Sequence, residues 1–277
     1  MTDRPLKPAP LFPPIFHYSQ DNLQDYVECA RRFQLRHLVR QPWPAPLAEP
    51  LQTAEIEVQR GEQFHRLLER HFLTLSVHPP PGPLSSWWRA FQKFPPLLPD
   101  EAGTLLLPEA FYSVPFNGRR LVAKFDLLTI VPGERIVIVD WKTAQHRPSR
   151  QLLAARLQTA VYRYVAVEAL AASFGRMVPP EAVQLIYWFA NAPQQPEVFL
   201  YDAAEYQHTG DYLRELISGI EARPDDAAVI WPLTPDIRQC AHCNYRSFCD
   251  RGTRAAPLDP LADTDRFDED TPLEIEW

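Results

Sequence analysis

The sequence predicts an α/β fold: a mixed central sheet flanked by helices, with a helical N-terminal part and a cysteine-rich C-terminal clip. Residues 119–131 (RRLVAKFDLLTIV) and 135–141 (RIVIVDW) are rich in β-branched and large apolar residues. They flank the turn signal Pro132-Gly133-Glu134 and read as a β-hairpin. Around them lie long runs of strong helix formers, the longest over residues 150–174. Four cysteines divide between the two ends of the chain, at 29 and at 240, 243 and 249.

The elements follow in order. A Pro-rich leader, residues 1–18, has no continuous apolar core and reads as disordered. Ser19 can cap a helix from Gln20 to Val39. Helices are expected near 54–76 and 83–94, then strands over 104–116, 119–131 and 135–142. The long helix 150–174 leads to strands near 183–190 and 197–201 and a helix from Ala203 to Glu221. Thirty prolines cluster at 42–50, 79–83 and 95–99, which suggests rigid loops between short elements. One domain is expected over 19–252, with the cysteine segment closing it and an acidic, disordered tail over 253–277.

Charge is unevenly placed. The net charge of −7 resides in the tail, where Asp259 to Trp277 holds eight acids and one arginine. Setting these apart from the 35 acids and 28 bases leaves 27 of each. Such tails are usually solvated; Leu273, Ile275 and Trp277 could let this one dock on a partner or compete for a basic face. No apolar run reaches membrane-spanning length, so a cytoplasmic protein is expected. None of the nine glycines precedes a lysine, which excludes a Walker A phosphate loop; any motor must be a separate protein.

The strands carry the chemistry. Asp126 lies inside one apolar run, and Asp140-Trp141-Lys142 ends the next. Side chains alternate along a strand, so Asp140 and Lys142 share a face and Trp141 takes the other, while hairpin pairing can bring Asp126 beside Asp140. Strand-end charges are common, but a carboxylate flanked by Phe125, Leu127 and Leu128 is costly unless compensated, and a metal ion compensates it. Two carboxylates suffice for Mg²⁺ or Mn²⁺, which can bind a scissile phosphate and acidify the attacking water. A neighbouring lysine stabilises the developing charge. Phosphodiester hydrolysis is the expected chemistry. Gln158 and Tyr162 stand one helical turn apart, though their pattern alone fits a solvated glutamine and a core tyrosine. A lone histidine such as His65 is more often packed or exposed than a ligand.

The ordered set Gly61…His65, Glu109, Asp126, Asp140-Trp141-Lys142 and Gln158-x3-Tyr162 resembles the RecB-like branch of the PD-(D/E)XK nuclease superfamily, over residues 19 to 252. The resemblance implies a restriction-endonuclease-like core. It makes His65, Asp126 and Asp140 metal ligands, with the Trp141 carbonyl as a further one. Lys142 becomes the catalytic lysine, Gln158 and Tyr162 the substrate-facing pair, and Glu109 a matching family glutamate. Ala123 stands where relatives often carry glycine, and no Pro-Asp dipeptide is present.

The cysteines form a three-plus-one pattern, Cys240-x2-Cys243-x5-Cys249 with Cys29, which argues for metal or redox use. Structural zinc more often shows two short pairs, whereas a cubane needs one thiolate per iron. Zinc stays the alternative, with His242 nearby. The flanking residues Asp25 to Phe33 and Asn244-Tyr245-Arg246 resemble the iron–sulfur clip of AddB subunits and CRISPR-associated RecB-like exonucleases, implying a structural 4Fe-4S cluster. Arg31, Arg32, Arg36, His37 and Arg40 on the first helix could track phosphates, or form a solvated face. The resemblance implies a single-strand-preferring DNA exonuclease in repair or in CRISPR spacer acquisition, with a helicase or integrase as possible partner. A non-catalytic DNA-binding scaffold subunit is the alternative.

Overall fold

The computed structural model describes residues 11–42 and 49–252. Helix α1 (Gln20–Glu28) opens on a capping box: Ser19 Oγ accepts from Asn22 N, and Asn22 Oδ1 accepts from Ser19 N. The expected continuous helix to Val39 does not form. Cys29 is extended (φ −163°, ψ 110°), and the chain restarts as α2 (Ala30–Phe33) and a π-helical turn at Gln34–Leu38. Helices α3 (Glu49–Phe72) and α4 (Pro83–Lys93) follow, the latter with Pro at its first position. The expected helix 150–174 divides into α5 (Arg150–Ala154), α6 (Leu157–Ala169) and α7 (Ala171–Phe174), broken at Arg156, which takes an extended ψ of 137°, and at Leu170 (φ −100°, ψ 13°). Helix α8 (Ala203–Glu221) is capped by Asp202.

Among the described residues, six strands make one mixed sheet. β1 (His17–Ser19) runs parallel to the start of β3 (Arg119–Val131), and β2 (Leu105–Phe116) pairs antiparallel along nearly all of β3. β4 (Arg135–Lys142) is antiparallel to β3 and parallel to β5 (Val183–Phe189), and β6 (Glu197–Leu200) closes the order. The β3–β4 hairpin turns at Gly133, whose φ of +77° needs a residue without a Cβ. One face packs Tyr18, Phe125, Tyr162, Tyr187 and Leu213 into a core with α1, α6 and α8. The other packs Phe64, Trp87, Phe91, Trp141 and Trp188 beneath α3 and α4.

Of the expected leader, residues 1–10 lie outside the described residues, and in the remainder Leu11, Phe12 and Phe16 are buried, since this apolar run finds Trp231 and Phe33 to pack on. The tail 253–277, with its expected docking tip, lies outside the described residues. No helix among the described residues is long and apolar enough to cross a membrane.

Two irregularities position the site. The β3–β4 ladder runs from Val131↔Arg135 to Leu127↔Val139 and stops; Asp140, Trp141 and Lys142 pair only with β5. The strands therefore fork at the two aspartates. On the other side of β3, the ladder with β2 is interrupted between Pro108↔Leu127 and Ala110↔Phe125, where Glu109 opposes Asp126. The facing pattern slips there on both strands. Leu121, Ala123 and Phe125 serve the α6 core, then Leu128 and Ile130 do; on β2 the sequence is Val114, Tyr112 and Ala110, then Leu107. Glu109 has a φ of +53°, in the left-handed region that non-glycine residues rarely adopt.

Candidate metal centre and cysteine cavity

Asp126 lies in the angle of the fork, 3 % exposed. Its Oδ2 accepts the Trp141 N–H at 2.7 Å and lies 3.6 Å from His65 Nδ1. Helix α3 brings His65 from the far face of the sheet, and His65 Nε2 sits 3.1 Å from the Trp141 carbonyl. A carbonyl only accepts, so Nε2 carries the proton, and in a neutral ring Nδ1 then turns a lone pair toward the Asp126 carboxylate. Two acceptors facing each other suit a cation between them or a protonated ring. Glu109 completes the set: one donor atom each from His65, Glu109 and Asp126 lies within 4.8 Å of the others. Among the described residues this is the only such group of histidine, cysteine and carboxylates. One nitrogen and two hard oxygens fit Mn²⁺ or Mg²⁺.

Asp140 falls outside that trio. It is 1 % exposed, and its Oδ2 pairs with Lys142 Nζ at 2.8 Å while Oδ1 accepts from Gln158 Nε2 at 2.8 Å. These partners offset the cost of burying the carboxylate. Gln158 stands in the first turn of α6 because the helix restarts at Leu157, whose otherwise orphan N–H donates to Gln24 Oε1 at 3.0 Å. Gln158 Nε2 also reaches Tyr162 OH at 3.3 Å. Apart from the cysteines, the fork thus brings together the sequence-derived residues: His65, Glu109 and Asp126 around one point, and Asp140, Lys142, Gln158 and Tyr162 in an adjoining network, with Trp141 between.

Two residues were not anticipated. Lys124 Nζ lies 2.5 Å from Glu109 Oε2. Its place two residues before Asp126 was the available signal. Tyr187 pairs in register with Asp140, sets its ring 5.6 Å from Lys142 Nζ, and has its hydroxyl 2.8 Å from Thr159 Oγ1 and 3.4 Å from Gln158 Oε1. Thr159 spends its own proton on the Leu153 carbonyl, so the single Tyr187 hydroxyl proton is shared between Thr159 Oγ1 and Gln158 Oε1. The only signal for this was a tyrosine at the right register on β5.

The arginines of the first helix are engaged differently from expectation. Arg32 Nε lies 2.7 Å from Asp25 Oδ1, and Arg36 Nη1 and His37 Nε2 each lie 2.8 Å from Asp25 Oδ2. Arg32 also pairs with Glu28, Arg36 with Asp21, and Arg31 bonds Gln34. Burial pushes the Asp25 carboxyl up, but Arg36, Arg32 and His37 outweigh it and hold the group well below its usual 3.8. Arg32 and Arg36 are therefore internal counter-ions. A sequence that reads RRFQLRH shows the positive charges but not the buried aspartate they surround.

The cysteines converge. Cys29, Cys240, Cys243 and Cys249 all line one small pocket, ringed by Arg32, Arg246 and Arg251. Arg251 Nη1 lies 3.4 Å from Cys240 Sγ. Burial pushes the Cys243 thiol up to about 11, so a bound metal would have to displace its proton. The break at Cys29 places its sulfur here. Among the described residues no three cysteine sulfurs lie within 4.8 Å of one another.

No curated protein matches this chain. Among solved structures it is similar to a "Putative exonuclease" from Eubacterium rectale, at 10 % identity and a TM-score of 0.46, covering 77 % of this chain and 85 % of that one. It is also similar to the protein SSO0001, at 12 % identity and a TM-score of 0.41, covering 86 % and 87 %. The family model of the PD-(D/E)XK nuclease superfamily matches residues 17–104 and 100–250, which span the sheet, the fork and the cysteines. The chain belongs to the PD-(D/E)XK nuclease superfamily.

Proposed function

We propose that the protein is a metal-dependent deoxyribonuclease of the RecB-like branch. One observation carries this reading: His65, Glu109 and Asp126 gather donor atoms within 4.8 Å, beside an Asp140–Lys142 pair at 2.8 Å. His65, Glu109 and Asp126 would hold the ion, with Asp140 and the Trp141 carbonyl as the further ligands at the fork. When bound, the ion supplies charge for the scissile phosphate and acidifies a water. Lys142 holds its ammonium where negative charge builds as phosphorus becomes pentavalent. Gln158 keeps Asp140 aimed at Lys142, and Tyr162 braces Gln158. A labelled oligonucleotide with Mn²⁺ should be degraded by the wild type, and Lys142→Ala should cut it roughly 10²–10³-fold more slowly. Equal rates would remove Lys142 from the mechanism, and a mobility shift without shortening would favour a scaffold.

The cysteines would hold a 4Fe-4S cluster. The three-plus-one cysteine pattern and its flanking resemblance favour this over zinc, because a cluster gives each thiolate its own iron. Iron and zinc counts on anaerobically purified protein decide between them. A single-strand preference, an exonucleolytic mode, a role in repair or CRISPR spacer acquisition, and a helicase or integrase partner all rest on the resemblance. Polarity assays on single-stranded and duplex ends test the first two.

A further inference from the structure

We propose that Lys124 is a phosphate-binding residue held in reserve on Glu109, released to the substrate when a divalent cation takes Glu109. The inference rests on the metal reading above and deepens it.

Glu109 has two claims on its carboxylate. Lys124 Nζ lies 2.5 Å from Oε2, and the same residue shares the 4.8 Å donor group with His65 and Asp126. A divalent ion drawn by three hard donors competes directly with one ammonium. That ammonium is weakly held: the Lys124 side chain is 39 % exposed, and an ion pair this open to water contributes little. Lys142 is the opposite case, 18 % exposed and seated on the buried Asp140. The two lysines are thereby sorted, one fixed inside and one exchangeable at the mouth.

The geometry also says which partner moves. Glu109 is pinned by its strand and by its φ of +53°, whereas a lysine stem is long and flexible. Lys124 lies two residues before Asp126 on β3, roughly 7 Å along the strand, so its released head remains beside the ion. A nucleic-acid phosphate bound to that ion is what it would meet. Metal and DNA then bind cooperatively, and each raises the affinity of the other.

The test is the salt dependence of binding to a labelled single-stranded oligodeoxynucleotide, read by fluorescence anisotropy. Full-length protein carrying Lys142→Ala to suppress turnover is compared with the same protein carrying Lys124→Met, Lys124→Gln or Lys124→Arg as well. With Mn²⁺, Lys124→Met and Lys124→Gln should each reduce the slope of log K against log salt by about 0.7, the loss of one phosphate contact. Lys124→Arg should keep the slope. With a chelator present, all slopes should coincide, because the ammonium is then tied to Glu109. In a calorimetric titration Lys124→Met should bind Mn²⁺ more tightly, having lost the competitor. Slopes that coincide with Mn²⁺, or that differ equally with and without it, overturn the exchange while the metal reading stands. Mn²⁺ that binds none of these proteins overturns both.

Discussion

At the scale of single residues, the site combines burial with strain. Asp126 and Asp140 are nearly sealed from water: the Trp141 amide donates to one, and Lys142 and Gln158 hold the other. Glu109 stands in a left-handed backbone conformation that an L side chain adopts at a cost of about 1–2 kcal/mol. Glycine carries no such cost. Glu109→Gly should therefore raise stability in urea unfolding by about 1 kcal/mol while weakening Mn²⁺ binding. Loss of both properties together would mean that Glu109 is structural and not a ligand.

At the scale of elements, the site exists because two strands part. Pairing ends at Leu127↔Val139, so Asp126 and Asp140 stand on diverging prongs, and the slip at Glu109 turns a third carboxylate toward them. On the N-terminal side, α1 and α2 are fastened by Asp25 with Arg32, Arg36 and His37. Because the folded carboxyl titrates below its ordinary 3.8, this contribution is present above that value and fades as pH falls through and below it. Asp25→Asn should cost about 3 kcal/mol at neutral pH and flatten the acid limb of the stability curve below about pH 4. An unchanged acid limb would show that the network carries no linkage.

The strands were legible in the sequence because their signals are local. Pro132-Gly133 and the flanking β-branched runs placed β3 and β4 at their observed bounds, 119–131 and 135–142. That Asp126 and Asp140 stand at the same end of the hairpin followed from hairpin geometry, but the parting of the strands there did not. The helix breaks at Cys29 and Arg156 were not legible, since neither position carries Pro or Gly. Tertiary demands impose them: Cys29 turns toward the other cysteines, and Gln158 toward Asp140. The slip at Glu109 was hidden too, because apolar residues sit on both faces of a doubly covered strand and leave no alternation to read.

At the scale of the whole molecule, the two ends of the chain are joined twice. One joint is the cysteine cavity. The other needs no metal: Leu11 and Phe12 donate to Asp225, Gln34 bonds Val229 and Trp231, and Phe33 stacks on Trp231 at 5.7 Å. Stripping any metal held by the cysteines should therefore loosen the protein locally and leave it folded. Hydrogen exchange should rise across 234–251 and around Cys29, with protection over 119–142 retained. Global exchange after chelation would show that the cysteines hold the entire fold.

The account depends on a cation site at the fork, and a Mn²⁺ titration followed by electron paramagnetic resonance tests it most directly. Wild-type protein should bind Mn²⁺ at the fork, and Asp126→Asn should weaken that binding at least about tenfold, the effect of losing roughly 1.4 kcal/mol of ligand energy. Identical titration curves for the two proteins would contradict it.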